Sequence, residues 1–119
     1  MNKLAIIDDE MMITDMLKKY LSKNFLVSTY NDSVDGLSRV KSENFDIVLL
    51  DIMMPKMDGI EVLEEIRKVK PDLKVVMMTA YSTLDRVLKS HKDGADNFIV
   101  KPFNSLSDVE RKLNDTLKG

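Results

Sequence analysis

The chain has 119 residues, 44% of them hydrophobic, which suits one domain built on one core. Lys and Arg number 18 against 20 Asp and Glu, a formal charge of −2, so bulk charge argues for neither nucleic-acid nor membrane binding. The absence of cysteine excludes disulfides, thiolate metal sites and cysteine nucleophiles.

The opening MNKLAIIDDE carries too short an apolar run for a signal peptide, and no stretch approaches a membrane span. A soluble, cytoplasmic chain is expected. Leu4–Ile7 reads as a short strand that stops at Asp8 and Asp9. A helix from Glu10 follows, with Ile13, Met16, Leu17, Tyr20 and Leu21 on one stripe and Met11 and Asp15 facing away. Phe25–Tyr30 is a second strand, closed by Asn31-Asp32-Ser33, any of which suits a helix cap. The helix predicted from Val34 to Ser42 contains Gly36, against its intrinsic propensity.

The stretch FDIVLLDIMMPKMDG, from Phe45 to Gly59, organises the rest. Ile47–Leu50 is a run of branched apolar residues, as in a strand buried on both faces of a parallel sheet. It ends at Asp51, and the turn chemistry of Pro55–Gly59 follows. A helix from Gly59 to about Val69 faces inward through Val62, Leu63, Ile66 and Val69, and Pro71-Asp72 breaks it. Leu73–Met78 is a fourth strand ending at Thr79. A helix over about Ser82 to Asp93 carries Leu84, Val87, Leu88 and His91 on one stripe before Gly94. Asn97–Val100 is the fifth strand, ending at Lys101-Pro102, and a last helix over about Ser105 to Leu117 faces inward through Leu106, Val109 and Leu113. Five such alternations predict an α/β (βα)5 domain over 1–119, with helices on both faces of a parallel sheet in the flavodoxin-like order 2-1-3-4-5.

Four strands therefore end in a chemically active residue at one edge: Asp8-Asp9, Asp51, Thr79 and Lys101. Taken singly, an aspartate at a strand end caps a helix or starts a turn. Together, and with strands one, three and four adjacent, they converge on one pocket. Two carboxylates about 5 Å apart repel by roughly 3 kcal/mol at an effective dielectric near 20. Such a cluster calls for a divalent cation or a lysine, and carboxylate oxygens suit Mg²⁺. The chemistry that fits is phosphoryl transfer to a carboxylate, with Mg²⁺ on Asp9 and Asp51, and Lys101 and Thr79 on the remaining phosphoryl oxygens.

Asp8-Asp9-Glu10, Asp51 with Met54-Pro55 and Met57-Asp58-Gly59, Thr79-Ala80 and Lys101-Pro102-Phe103 together resemble the CheY-like receiver domain of two-component response regulators, over the whole chain. The resemblance implies that Asp51 accepts phosphate from a phosphohistidine of a sensor histidine kinase or histidine phosphotransfer protein. It implies Mg²⁺ bound by Asp9, Asp51 and the Met53 backbone carbonyl, with Asp8 acting through a coordinated water, and a cis Lys101-Pro102 peptide. It makes Thr79 and Phe98 a switch pair that reshapes the face formed by the predicted fourth helix, the fifth strand and the last helix. Phe98 lacks the hydroxyl of a tyrosine, so any readout there rests on ring packing.

Met53 and Tyr81 occupy positions that in this family tune hydrolysis of the acyl phosphate. Neither is an acid or amide able to orient water, so a long-lived phospho-state is expected. Met11, beside the acid pair, is a candidate docking contact for the phosphodonor or simply a tolerated surface residue. His91 reads as a core-edge histidine, because no second histidine exists to build a metal site. Asp93 departs from the small or apolar residue usual there, and the nine methionines read mostly as packing. Other readings fit less well. An aspartyl-phosphate phosphatase wants an acid at Met53, and a flavin module wants a hydroxyl- and glycine-rich loop where Asp-Asp-Glu stands. A phosphorylation-independent interaction module of the same fold would have no need of Asp51 and Lys101. The expected protein is thus a self-modifying switch rather than a turnover enzyme. Its effector or output domain, and dimerisation when phosphorylated, are left open, and a stand-alone regulator and a piece of a longer protein look alike.

Overall fold

The computed structural model describes residues 1–80 and 94–119. The predicted helix over about 82–93, with Tyr81, Leu84, Val87, Leu88, His91 and Asp93, lies outside the described residues. In chain order the elements are β1 (Asn2–Ile7), α1 (Met11–Leu21), β2 (Phe25–Tyr30), α2 (Ser33–Ser42), β3 (Ile47–Asp51), α3 (Gly59–Val69), β4 (Lys74–Ala80), β5 (Asn97–Lys101) and a C-terminal helix (Leu106–Lys118). The strands form one parallel sheet in the order β2-β1-β3-β4-β5, the order predicted from the alternation.

Every residue of β3 is buried, because apolar layers cover both faces of the strand. Val48 and Leu50 join Val62, Leu63 and Ile66 on the α2–α3 side, whereas Ile47 and Leu49 join Leu17, Val109 and Leu113 on the side of α1 and the C-terminal helix. Each fully buried aliphatic side chain contributes about 1.5–3 kcal/mol relative to exposure. The run Ile47–Leu50 is therefore the axis from which Asp51 projects.

Two glycines set how closely helices approach this sheet. A Cβ on Gly36 would lie 2.9 Å from the Ile7 side chain, so α2 accepts the low helix propensity of glycine in exchange for close packing on β1. A Cβ on Gly59 would lie 2.1 Å from the Asp51 carbonyl oxygen. The first turn of α3 thus rests directly on the tip of β3, fixed further by the Gly59 N–H donating to the Ile52 carbonyl at 2.8 Å. Asp58 caps α3 in a capping box with Glu61.

At the opposite end of the sheet, Arg67 of α3 fastens β4 to β5. Its guanidinium donates to the carbonyls of Leu73 (2.6 Å) and Gly94 (2.7 Å) and pairs with Asp96 at 3.0 Å. The same Asp96 oxygen accepts from the Val75 N–H at 2.8 Å.

Three expectations need correction. Met16 is 40% exposed, and the buried stripe of α1 is Thr14, Leu17 and Leu21, with Ile13 and Tyr20 half-buried. Thr14 takes an inward place because its hydroxyl finds partners there, donating to the Met11 carbonyl at 3.1 Å and accepting from Asn31 at 2.9 Å. Val69 is exposed, since the last residue of α3 runs past the edge of the apolar layer. Met1, Met11, Met12, Met16 and Met53 are all exposed, so most methionines are surface rather than packing, and only Met77 and Met78 are fully buried. No described helix is long and apolar enough to cross a membrane.

Candidate functional site

Because β1, β3 and β4 are neighbours, Asp8, Asp51 and Thr79 emerge side by side at the carboxyl edge of the sheet. All three are buried. Asp9, the next residue after Asp8, is exposed. Asp8, Asp9 and Asp51 each offer a carboxylate oxygen within 4.8 Å of the others. Lys101, at the tip of β5, turns its ammonium inward to lie 2.6 Å from Asp8, 3.4 Å from Asp51 and 3.9 Å from Glu10. Its peptide bond to Pro102 is cis.

One ammonium among buried carboxylates leaves the site short of positive charge. Burial first, and then the charge of Asp8, push the Asp51 carboxyl up to about 7 despite Lys101. For Lys101 burial works against the charged form. The hydrogen bond to Asp8 and the charges of Asp51 and Asp8 outweigh it and raise its pKa, so the ammonium is retained. An all-oxygen, net-negative donor set that mixes buried and exposed carboxylates fits a hard divalent cation such as Mg²⁺. The Met53 side chain is exposed beside it, in the β3–α3 loop.

Other residues singled out from sequence lie around this centre. The Thr79 hydroxyl donates to the Ala80 carbonyl at 3.1 Å. Phe98 is half-buried against the α2–α3 core layer, its register partner on β4 being Met77. Met11 is 63% exposed at the start of α1, and the adjacent Met12 more so. Sequence reasoning missed what lies beside them, an apolar groove of about 580 Å³ between α1 and the C-terminal helix. Ile13, Met16, Pro102, Phe103 and Leu106 line it, and Lys101 stands at its junction with the acid pocket. Its walls come from segments far apart in the chain, so the apolar spacing of Ile13 and Met16 on one helix was the sole hint of it.

Sequence reasoning also left Asn31-Asp32-Ser33 undivided. Asp32 is the cap of α2, accepting from the Val34 N–H at 2.9 Å, and the Lys56 ammonium bonded to it holds its carboxyl below the usual range. Asn31 donates to the Asp8 carbonyl and to Thr14, both at 2.9 Å, and the Ser33 hydroxyl donates to the Pro55 carbonyl at 3.3 Å.

Residues 4–113 match the family model described as "Response regulator receiver domain". Among curated proteins, the chain is 42% identical over 113 residues to the transcriptional regulatory protein CpxR homolog of Haemophilus influenzae, covering 93% of this chain and 48% of that one. It is 34% identical over 117 residues to the transcriptional regulatory protein QseB of the same organism, covering 98% and 52%. The chain thus spans about half the length of these relatives. Among solved structures, a CheY-like receiver domain protein from Methanospirillum hungatei superposes with a TM-score of 0.93 at 33% identity, over 99% of this chain and 94% of that one. A receiver domain protein from Clostridium thermocellum does so at 0.91 and 32%, over 99% and 95%.

Proposed function

Since the chain belongs to the response regulator receiver domain family of two-component systems, we propose that residues 1–119 form a single receiver in which Asp51 is the phosphoacceptor of a phosphorelay. The observation that carries this reading is the buried Asp51 carboxylate at the tip of the central strand, with the Lys101 ammonium 3.4 Å away. An Asp51 oxygen attacks the phosphorus of a phosphohistidine on a sensor kinase or phosphotransfer protein. The new O–P bond forms as the N–P bond breaks, and the bonding pair returns to the imidazole nitrogen. Lys101 neutralises one phosphoryl oxygen and the Thr79 hydroxyl donates to another. Asp9, Asp51 and the Met53 carbonyl would hold Mg²⁺, with Asp8 reaching it through water. When bound, the ion supplies charge neutralisation of the transferring group.

The phosphodonor docks over the groove beside Lys101, where exposed Met11, Met12 and Met16 offer adaptable contact surface. Phosphorylation then biases a two-state equilibrium through Thr79 and Phe98, altering the face of β5 and the C-terminal helix. An output domain or partner reads that face, with dimerisation one form of readout. The protein acts in the cytoplasm and modifies itself rather than turning over a substrate.

Incubation with acetyl phosphate and Mg²⁺, followed by intact-mass measurement, tests the reading. The wild type gains the mass of one phosphoryl group and Asp51→Asn gains none. Equal labelling of the two proteins overturns the assignment.

A further inference from the structure

We infer that the turn Asn31–Ser33, which supplies no ligand to the acid pocket, is a positioning clamp that sets the affinity of that pocket for a divalent cation. The inference rests on the metal reading proposed above. Two loops carry the proposed ligands, Asp8-Asp9 after β1 and Met53 after β3. The clamp reaches both from a third loop, after β2.

On the first loop, the two N–H groups of the Asn31 amide are fully used, one on the Asp8 carbonyl and one on Thr14. Thr14 is buried in α1 and donates in turn to the Met11 carbonyl. The main chain at Asp8 is thereby tied to the helix that follows it. The Asp8 N–H donates to the Tyr30 carbonyl at 3.1 Å, and its side chain accepts from the Glu10 N–H at 2.9 Å. With these bonds made, Asp8 has little freedom to turn away from Asp51, and Asp9 follows directly from that anchored main chain. On the second loop, buried Ser33 holds the Pro55 carbonyl, and Asp32 pairs with Lys56 at 3.0 Å. Lys56 has φ 67°, a left-handed conformation uncommon for a lysine. That ion pair is exposed and contributes little alone, so Asn31 and Ser33 carry most of the effect.

A helix cap requires only Asp32, and neither Asn31 nor Ser33 bonds within α2 through its side chain in the manner of a cap. Their bonds go instead to the loops on either side of the pocket. Removing a hydrogen-bond partner of a metal ligand lowers affinity by about 10–100-fold, and Asn31 and Ser33 act one step further out, on the main chain of the ligand-bearing loops.

Calorimetric titration of the metal-free protein with MgCl₂ at pH 8 tests the clamp, with thermal unfolding in EDTA run alongside. Asn31→Ala should bind Mg²⁺ about tenfold more weakly than wild type, at the low end of that range. Ser33→Ala should shift affinity in the same direction and serves as the second variant should Asn31→Ala fail to fold. Asn97→Ala is the control. It breaks another side-chain amide bond, to Thr116 at 3.1 Å, at the start of β5, and should lower the unfolding temperature without changing Mg²⁺ affinity. In acetyl phosphate labelling, Asn31→Ala should need more Mg²⁺ for half-maximal rate yet approach the wild-type rate at saturation. If Asn31→Ala and Ser33→Ala lower the unfolding temperature but bind Mg²⁺ like wild type, while Asp51→Asn does not bind it, the clamp is overturned and the metal reading stands. If Asp51→Asn binds Mg²⁺ like wild type, the metal reading falls and the clamp with it.

Discussion

Asp51 is held in a place that disfavours the charge its proposed chemistry requires. Its ordinary pKa is 3.8, and burial together with Asp8 raises it to about 7. Between these values the folded protein keeps a proton that the unfolded chain has released. The stability contributed by this group is therefore full below about pH 4 and is lost as the pH rises through 7. In EDTA, Asp51→Asn should unfold at a higher temperature than wild type at pH 8, and the gap should narrow as the pH falls from 7 toward 4. A pH-independent gap would mean that Asp51 ionises normally. The same proton competes with a cation, so ligand binding at this pocket should weaken on acidification through the same range. Lys101 does not titrate in that window, because its pKa is raised above an already high value.

At the scale of elements, the contact between α3 and the tip of β3 is the tightest constraint on where Asp51 points. A methyl group at residue 59 would meet main-chain oxygen and carbon atoms of Asp51 and Ile52, which cannot rotate aside. Gly59→Ala should cost about 1–3 kcal/mol of stability by overpacking, measured by urea unfolding, and should also slow acetyl phosphate labelling. Labelling at the wild-type rate would show that the loop absorbs the shift without moving the carboxylate. The strands and most helix faces were legible in the sequence, because apolar run length and spacing report burial directly. The convergence of Asp8, Asp51 and Thr79 followed from the adjacency of strands one, three and four, whereas Lys101 joins them from the edge strand by the reach of its side chain. What escaped were features decided by partners distant in the chain. Thr14 is buried because Asn31 meets its hydroxyl, and hydropathy ranks Met16 above it. Gly36 is tolerated in a helix because Ile7 fills the space beside it. The second role of Asn31, beside its neighbour's role as a cap, is likewise a contact and not a pattern.

For the molecule as a whole, the site and the proposed output face lie on the same sheet, so the lifetime of one phosphoryl group sets how long the alternative arrangement persists. The Met53 side chain is exposed beside the pocket and offers neither an acid nor an amide to a water attacking the acyl phosphate. The isolated phospho-protein should therefore decay over a period well beyond minutes, followed by intact mass after removal of the donor. Decay within seconds, with no phosphatase present, would contradict this. Met53→Glu should shorten the lifetime.

The brace formed by Arg67 bears on how the sheet comes apart. A terminal strand with one neighbour is ordinarily the first to unzip. Here β5 is buttoned at its beginning to α3 and β4 through Gly94, Leu73 and Asp96. Peeling away this rim means dislodging α3 as well, and α3 is the helix seated against the tip of β3. Local fraying at that border is thereby converted into a cooperative event that includes the central strand.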